Sequence, residues 1–408
     1  MNGEILFLCH RIPYPPDRGD KIRSWNLLKA LAKLAPVHVG CFADDDRDMG
    51  FAEALDTQAK SAKVVLRNVS TPIAGMRGLL RGQPLTVSLF DHPDLHRWVR
   101  EKIAGGQIGA IICFSVQMAQ YLPARLPHGV RFVMDFVDFD SEKYAAYGRE
   151  GHGPMAWVHA REGRVLAAYE RAVAQRADAS LFVSDAEAAL FRARMGLGDR
   201  VMTLNNGVDT AFFDPAATFP PVDLGAGPLI VFTGQMDYRP NVEAVQSFAA
   251  QAMPVVRAHR PDARFAIVGR NPTAEVEALA SADPSVIVTG GVDDVRGWLA
   301  AADVVVAPLR IARGVQNKVL EAMAMARPVV ASVQAAEGIS AEPGRDLLVG
   351  RDAAEEAALV LDLLAAPERA RAMGLAARAR VIDAYGWDAA MAPLAQMLGR
   401  DTAKEKAA

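Results

Sequence analysis

The stretch Gly290–Ser332, GGVDDVRGWLAAADVVVAPLRIARGVQNKVLEAMAMARPVVAS, decides the fold. It reads as turn, helix, strand, loop, helix, strand. Asp303–Ala307 (DVVVA) is a short β-branched run closed by Pro308, the pattern of a buried parallel strand. The loop from Leu309 to Gln316 carries Arg310, Arg313 and Gly314. A helix follows, with Val319, Leu320, Met323 and Ala324 at helical spacing. Pro328 ends it, and VVAS opens the next strand. A strand that runs through a glycine-bearing loop into a helix is an anion-binding arrangement. The first-turn N–H groups lack partners, and the helix dipole favours negative charge there. Lys318 falls in or near that turn, and Glu321, three residues on, lies along nearly the same face. Side by side they suit a nucleoside diphosphate, the lysine for phosphate and the carboxylate for ribose hydroxyls. The competing reading is an ordinary surface ion pair.

Working outward, the 408 residues are enough for two domains, each with its own core. Hydrophobic residues make up 51% and charged residues 23%, an ordinary globular balance. A net charge of −3 gives no electrostatic case for a nucleic-acid partner. Cys9, Cys41 and Cys113 each end an apolar, strand-like run, which suits buried reduced thiols and a cytoplasmic location. The run ILFLC is too short for a signal peptide and follows Glu4. No apolar run reaches 18 residues, so no transmembrane helix is expected.

The chain opens on a strand, EILFLC, then the loop HRIPYPPDRGDK, then a helix from about Ile22 to Leu34. Gly19 and Asp20 precede that helix, and His10 and Arg18 share the loop. A lone histidine such as His10 is more often structural than catalytic. VHVGCF, KVVLR, GAIICF, RFVMDF, ASLFVS and RVMTLN follow as strands, separated by helical segments. That alternation means a doubly wound parallel sheet, whose ligands lie beyond the carboxyl ends of the strands. Asp44-Asp45-Asp46 belongs to an acidic run read as a solvated loop, and nothing else has metal-ligand spacing. VMDFVDFDSEKY places Asp135, Asp138 and Asp140 at a strand end. Asp140 is expected to cap the next helix. Asp135 and Asp138 are read either as catalytic carboxylates that accept a hydroxyl proton or as structural groups. Two basic amphipathic segments, Thr71–Gly82 and Trp157–Arg176, can lie on anionic lipid, and a helix packed on a sheet reads the same way.

In the second half, LIVFTG ends at Gly234, ARFAIVGR at Gly269-Arg270 and SVIVTGGV at Gly290-Gly291. Asn205-Asn206-Gly207-Val208-Asp209 carries a strong turn signal. Domains are expected at 1–213 and 228–386, joined by a linker over 214–227. A last helix is expected over 387–400, and a disordered tail over 401–408.

LEAMA (Leu320–Ala324), PVVAS (Pro328–Ser332) and Glu337-Gly338 resemble the donor-binding segment EGFGxxxLEAMAxGxPVVAS of family 4 of the GT-B glycosyltransferases. Arg313 stands where that pattern has its first glutamate. Gly314–Glu321 (GVQNKVLE) is similar to a subset with a lysine three before the surviving glutamate. NNGVD, with Phe212 and Pro215, resembles the family's NGVDxxxFxP. DFVDFDSEKY and HRIPYPPDRGDKIRSWN resemble the sugar transferases of exosortase (PEP-CTERM) exopolysaccharide loci.

The resemblance implies two Rossmann-like, doubly wound parallel-sheet domains facing a central cleft. The acceptor would sit on the first domain and the nucleotide-sugar donor mainly on the second, with the last helix crossing back to the first. It implies donor contacts at Gly19, Gly234, Arg239, Arg270, Gly291, Gly314, Gln316, Asn317, Lys318 and Glu321. Arg239 replaces the family's usual cation, whose place Gln235 takes. Catalysis would need no metal and no cofactor beyond a UDP- or GDP-sugar as substrate. Lys318, with Asp135 or Asp138, would serve the chemistry. The acceptor would be a glycan or polyprenyl-linked sugar, with peripheral contact at the inner membrane. Retention of configuration is the family's outcome, and an aspartate base leaves inversion open. Two rivals stand beside this reading: a non-hydrolysing nucleotide-sugar epimerase, and a non-catalytic sugar-nucleotide-binding partner.

Overall fold

The structure, a computed structural model, describes residues 3–67, 78, 82–220, 222, 227–312 and 314–400. Most of the basic segment Thr71–Gly82, Arg313, part of the linker and the 401–408 tail therefore lie outside the described residues. The chain divides into two units, Met1–Asn206 with the segment from Ala390, and Gly207–Ala389.

The first unit is built on seven parallel strands in the order β3-β2-β1-β4-β5-β6-β7. They are β1 (Glu4–Cys9), β2 (Val37–Ala43), β3 (Ser61–Leu66), β4 (Ile108–Phe114), β5 (Arg131–Val137), β6 (Ala179–Phe182) and β7 (Val201–Thr203). The second unit has six, ordered β10-β9-β8-β11-β12-β13. They are β8 (Leu229–Thr233), β9 (Arg264–Val268), β10 (Val286–Gly290), β11 (Val304–Ala307), β12 (Val329–Ser332) and β13 (Leu348–Gly350). Helices cover both faces of such sheets, so central strands such as ILFLC and LIVFT are apolar throughout rather than alternating. Each sheet reverses its strand order once, at β1/β4 and at β8/β11. Those reversals are where side chains can reach a ligand without crossing a covering helix.

The expected strands are all present. β13 went unread because three residues give no periodic signal. One helix was expected at the C-terminus, but two short ones occur, Trp387–Met391 and Leu394–Met397. Pro393 lies between them and cannot donate the hydrogen bond that a continuous helix needs. The unit boundary falls at Asn206/Gly207. No turn forms at Asn206-Gly207, and Gly207 serves packing instead. A Cβ there would lie 2.6 Å from the Trp387 Cα.

The long helix Pro154–Arg176 buries Leu166, Val173 and Ala174 along with Glu162 and Glu170. Its apolar stripe is thus packed inside the first unit. It is zipped to the helix Asp140–Glu150 by glycines. A Cβ on Gly163 would lie 2.8 Å from the Ala145 nitrogen, and one on Gly148 2.8 Å from the Ala160 nitrogen. Among the described residues, no helix is long and apolar enough to cross a membrane.

Candidate active site

In the second unit, the ends of β8 and β9, the segment Val292–Val295 after β10 and the helix Asn317–Ala324 line one cavity of about 760 Å³. Two glycines let these elements converge. A Cβ on Gly269 would sit 1.6 Å from the Gly234 carbonyl oxygen, and one on Gly234 would sit 2.9 Å from Lys318 Nζ. Gln316 occupies the N-cap position of the helix, and its side chain makes no cap hydrogen bond to the first turn. The open end of the helix dipole therefore meets the cavity wall, where Gln316, Asn317 and Lys318 lie.

Lys318 Nζ donates to Asn241 Oδ1 at 2.6 Å and lies 4.0 Å from the centroid of the Phe232 ring. Asn241 is itself fixed, its Nδ2 donating to the Gln235 carbonyl at 2.8 Å. Burial pulls the Lys318 ammonium down to about 7, with Glu321 offsetting part of the effect. Burial likewise pushes the Glu321 carboxyl up, against the pull of Lys318. The two groups are thus a half-buried pair that influence each other's charge, and among the described residues neither forms an ion pair; a diphosphate would supply a counter-charge for Lys318. On another side of the cavity, the Arg296 guanidinium lies 3.8 Å from the Phe212 ring centroid and is held by Asp294 at 2.7 Å.

Six of the expected donor residues line this cavity: Gly234, Arg270, Gln316, Asn317, Lys318 and Glu321. Gly314 stands just before them with a left-handed φ of 65°, and its carbonyl accepts from Gln316 Nε2 at 3.2 Å. Gly338 explains the Glu337-Gly338 match, since its Cβ would lie 2.5 Å from the Gly314 carbonyl. Gly291 is outside the lining, although Val292 and Asp293 belong to it. Arg239 is a correction. Its side chain is 84% exposed and pairs with Glu243 at 2.7 Å, one helical turn away, so it does not reach the cavity. Asn241, missed as a site residue, is the third residue of the helix Arg239–Ser247 and carried no sequence signal for a site.

The first unit has its own polar cavity, of about 590 Å³, at the ends of β1, β4 and β5. Gly19 lines it as the first residue of the helix Gly19–Ala32, whose N-cap Arg18 makes no side-chain cap. His10 is buried, stacks on Phe114 and points Nε2 at Asp20 Oδ2, 3.3 Å away. Burial pushes the Asp20 carboxyl up, but hydrogen bonds from His10 and Arg11 outweigh it and hold the group well below the usual range. Ser115 and Val137 line the same cavity with φ of 75° and 70°. For a β-branched residue this costs on the order of 1–3 kcal/mol, and such strain collects at functional sites.

The aspartates divide. Asp135 is fully buried and paired with Arg23 Nη2 at 2.9 Å, and Arg23 also donates to Asn206 Oδ1 at 2.9 Å. Its expected catalytic role is therefore corrected, because no substrate hydroxyl can reach it. Asp138 does line the cavity, bound to Lys143 Nζ at 2.6 Å. Asp140 is also corrected. The N-cap is Phe139, without a side-chain cap, and Asp140 faces the cavity 3.5 Å from Lys143. In the acidic run, Asp44 is bound by Arg11 and Arg67, and Asp45 caps a short helix. Among the described residues, no three His, Cys, Asp or Glu side chains group as a metal site.

Residues 19–207 match the family model for a glycosyl transferase 4-like domain, and residues 227–366 match that for glycosyl transferases group 1. A GDP-mannose-dependent alpha-(1-6)-phosphatidylinositol monomannoside mannosyltransferase of Mycolicibacterium smegmatis is 31% identical over 255 residues, covering 58% of this chain and 66% of that protein. An alpha-maltose-1-phosphate synthase of the same organism is 33% identical over 244 residues, covering 53% of this chain and 62% of that one. The chain thus spans less than two thirds of the length of these relatives. A glycosyltransferase of Rickettsia africae shares the fold at a TM-score of 0.61, with 14% identity over 97% of this chain and 98% of that one.

Proposed function

We propose that this chain, a GT-B-fold member of the glycosyltransferases that joins a glycosyl transferase 4-like domain to a glycosyl transferases group 1 domain, transfers a sugar from a nucleoside-diphosphate donor to a glycan or polyprenyl-linked acceptor. One observation carries the reading. Lys318 lies half-buried in the first turn of a helix whose N-cap side chain makes no cap bond, in the wall of a cavity of about 760 Å³, with the Glu321 carboxylate one turn on. Lys318 and the helix end meet the charge that develops on the departing diphosphate, which is preorganised electrostatic stabilisation without a metal. Glu321 takes the ribose hydroxyls. The donor is a GDP- or UDP-sugar, and the name of the M. smegmatis mannosyltransferase favours GDP.

The acceptor belongs to the first unit's polar cavity. With Asp135 committed to Arg23, Asp138 is the remaining base for inversion, and retention is the simpler outcome. The likeness of DFVDFDSEKY to exosortase-linked transferases supports a role in exopolysaccharide or envelope synthesis, at the cytoplasmic face of the inner membrane.

A thermal-shift screen with GDP, UDP, ADP, dTDP and CDP, with and without EDTA, tests this. A nucleotide at about 100 times its Kd adds roughly 2.7 kcal/mol of stability. Failure of every nucleotide to stabilise the chain would sink the reading, and a shift abolished by EDTA would sink its metal-free form. Glu321→Gln should weaken GDP about tenfold, from the loss of roughly 1.5 kcal/mol of charged hydrogen bonding, and leave inorganic pyrophosphate binding unchanged.

A further inference from the structure

We propose that the hairpin formed by the helices Asp140–Glu150 and Pro154–Arg176 docks on an anionic lipid bilayer through its tip and its arginine-bearing outer face. Three of the most exposed large apolar side chains among the described residues gather at that tip: Tyr147 at 54%, Met155 at 60% and Trp157 at 64%. Aromatic side chains of this type settle at the boundary between headgroups and acyl chains.

The face behind the tip is cationic. From Trp157, the residues Ala160, Arg164, Ala168 and Arg171 recur every three or four positions, so they share one side of the helix. That side is opposite the buried stripe of Leu166, Val173 and Ala174. A shallow groove of about 720 Å³ runs along the hairpin there. Its floor is small (Ala145, Gly148, Ala160), and its charged lining is Arg149, Arg164, Arg171 and Arg194 against one carboxylate, Glu142. Glu142 is shared between Arg149 at 3.3 Å and Arg194 at 3.4 Å. Arg164 has no partner among the described residues. In a chain whose net charge is −3, this local excess is an electrostatic match for anionic headgroups.

The two features divide the work. The arginines attract and orient, at a strength that falls with salt, while Trp157 and Met155 insert. The mode differs from an amphipathic helix lying flat, because the apolar stripe of Pro154–Arg176 is already packed in the first unit's core. The inference rests on the transferase reading only for its purpose, the capture of a lipid-linked acceptor. Vesicle binding is measured with no donor or acceptor present, so each reading can fail alone.

The test is co-sedimentation of the full chain with phosphatidylcholine vesicles carrying roughly 30% phosphatidylglycerol, against pure phosphatidylcholine. The wild type should bind the anionic vesicles and release as salt is raised. The double change Trp157→Ser with Met155→Ser should cut binding roughly tenfold. Arg164→Glu with Arg171→Glu should abolish the preference for the anionic vesicles. All four positions are exposed, so thermal unfolding should be unchanged in both variants. Equal recovery on both vesicle types, no recovery on either, or full binding by the Trp157/Met155 variant would each overturn the proposal. In the case of no recovery, the tip is a surface for a soluble partner instead.

Discussion

Lys318 should take up a proton when nucleotide binds. In the free protein its ammonium is pulled down to about 7 by burial against Asn241 and Phe232, with Glu321 the nearby carboxylate. A bound diphosphate places negative charge beside Nζ and returns the group toward its ordinary value of 10.5. At a pH near 8, the free lysine is then only about one-tenth protonated and the bound one almost fully so, giving an uptake of about 0.9 proton. The affinity for GDP should fall roughly tenfold for each pH unit above 7, about 1.4 kcal/mol per unit. Calorimetric titration in buffers of different ionisation enthalpy reads the proton number from the slope. Lys318→Arg, which stays charged, should bind GDP with little pH dependence. A slope of zero near pH 8, or an affinity that does not change between about 7 and 9, would refute the assignment of Lys318 to phosphate. Stability in the absence of nucleotide has a fixed sign as well. Between 7 and 10.5 the unfolded chain binds the proton that the folded chain has released, so this group makes the protein more stable as pH rises through that window.

Other outcomes follow from the same contacts. Asp135→Asn leaves Arg23 buried without a counter-charge and should cost about 3–5 kcal/mol in denaturant unfolding, a stability effect rather than a catalytic one. Ala326 holds a left-handed φ of 53° where the family pattern has glycine. Ala326→Gly should therefore stabilise the second unit by about 1 kcal/mol, a rise of roughly 2–4 °C in Tm. Arg239→Ala should leave both nucleotide affinity and the midpoint of denaturant unfolding unchanged, since an exposed pair with Glu243 contributes little.

The sequence by itself determined the architecture and brought together several residues of the candidate site. Runs such as DVVVA and LIVFT, each followed by a glycine or proline break and a helix, are local signals, so the alternation of strand and helix was legible. Gly234, Lys318 and Glu321 were legible too, because a strand end, a helix start and an i,i+3 spacing are short-range facts. Tertiary structure alone decided which charged groups were free. Asp135 looked like Asp138 in the sequence, yet Arg23, 112 residues away, neutralises it in the core. Arg239 looked like a phosphate ligand, but its nearest carboxylate is four residues on, outside the cavity. Asn241 entered the site through a contact with Lys318 across 77 residues, for which no sequence spacing exists. The same limit applies to the helix Pro154–Arg176, whose stripe reads alike for a bilayer or a sheet. Hydrophobic periodicity states that a face will be covered, while the long-range packing that satisfies it decides by what.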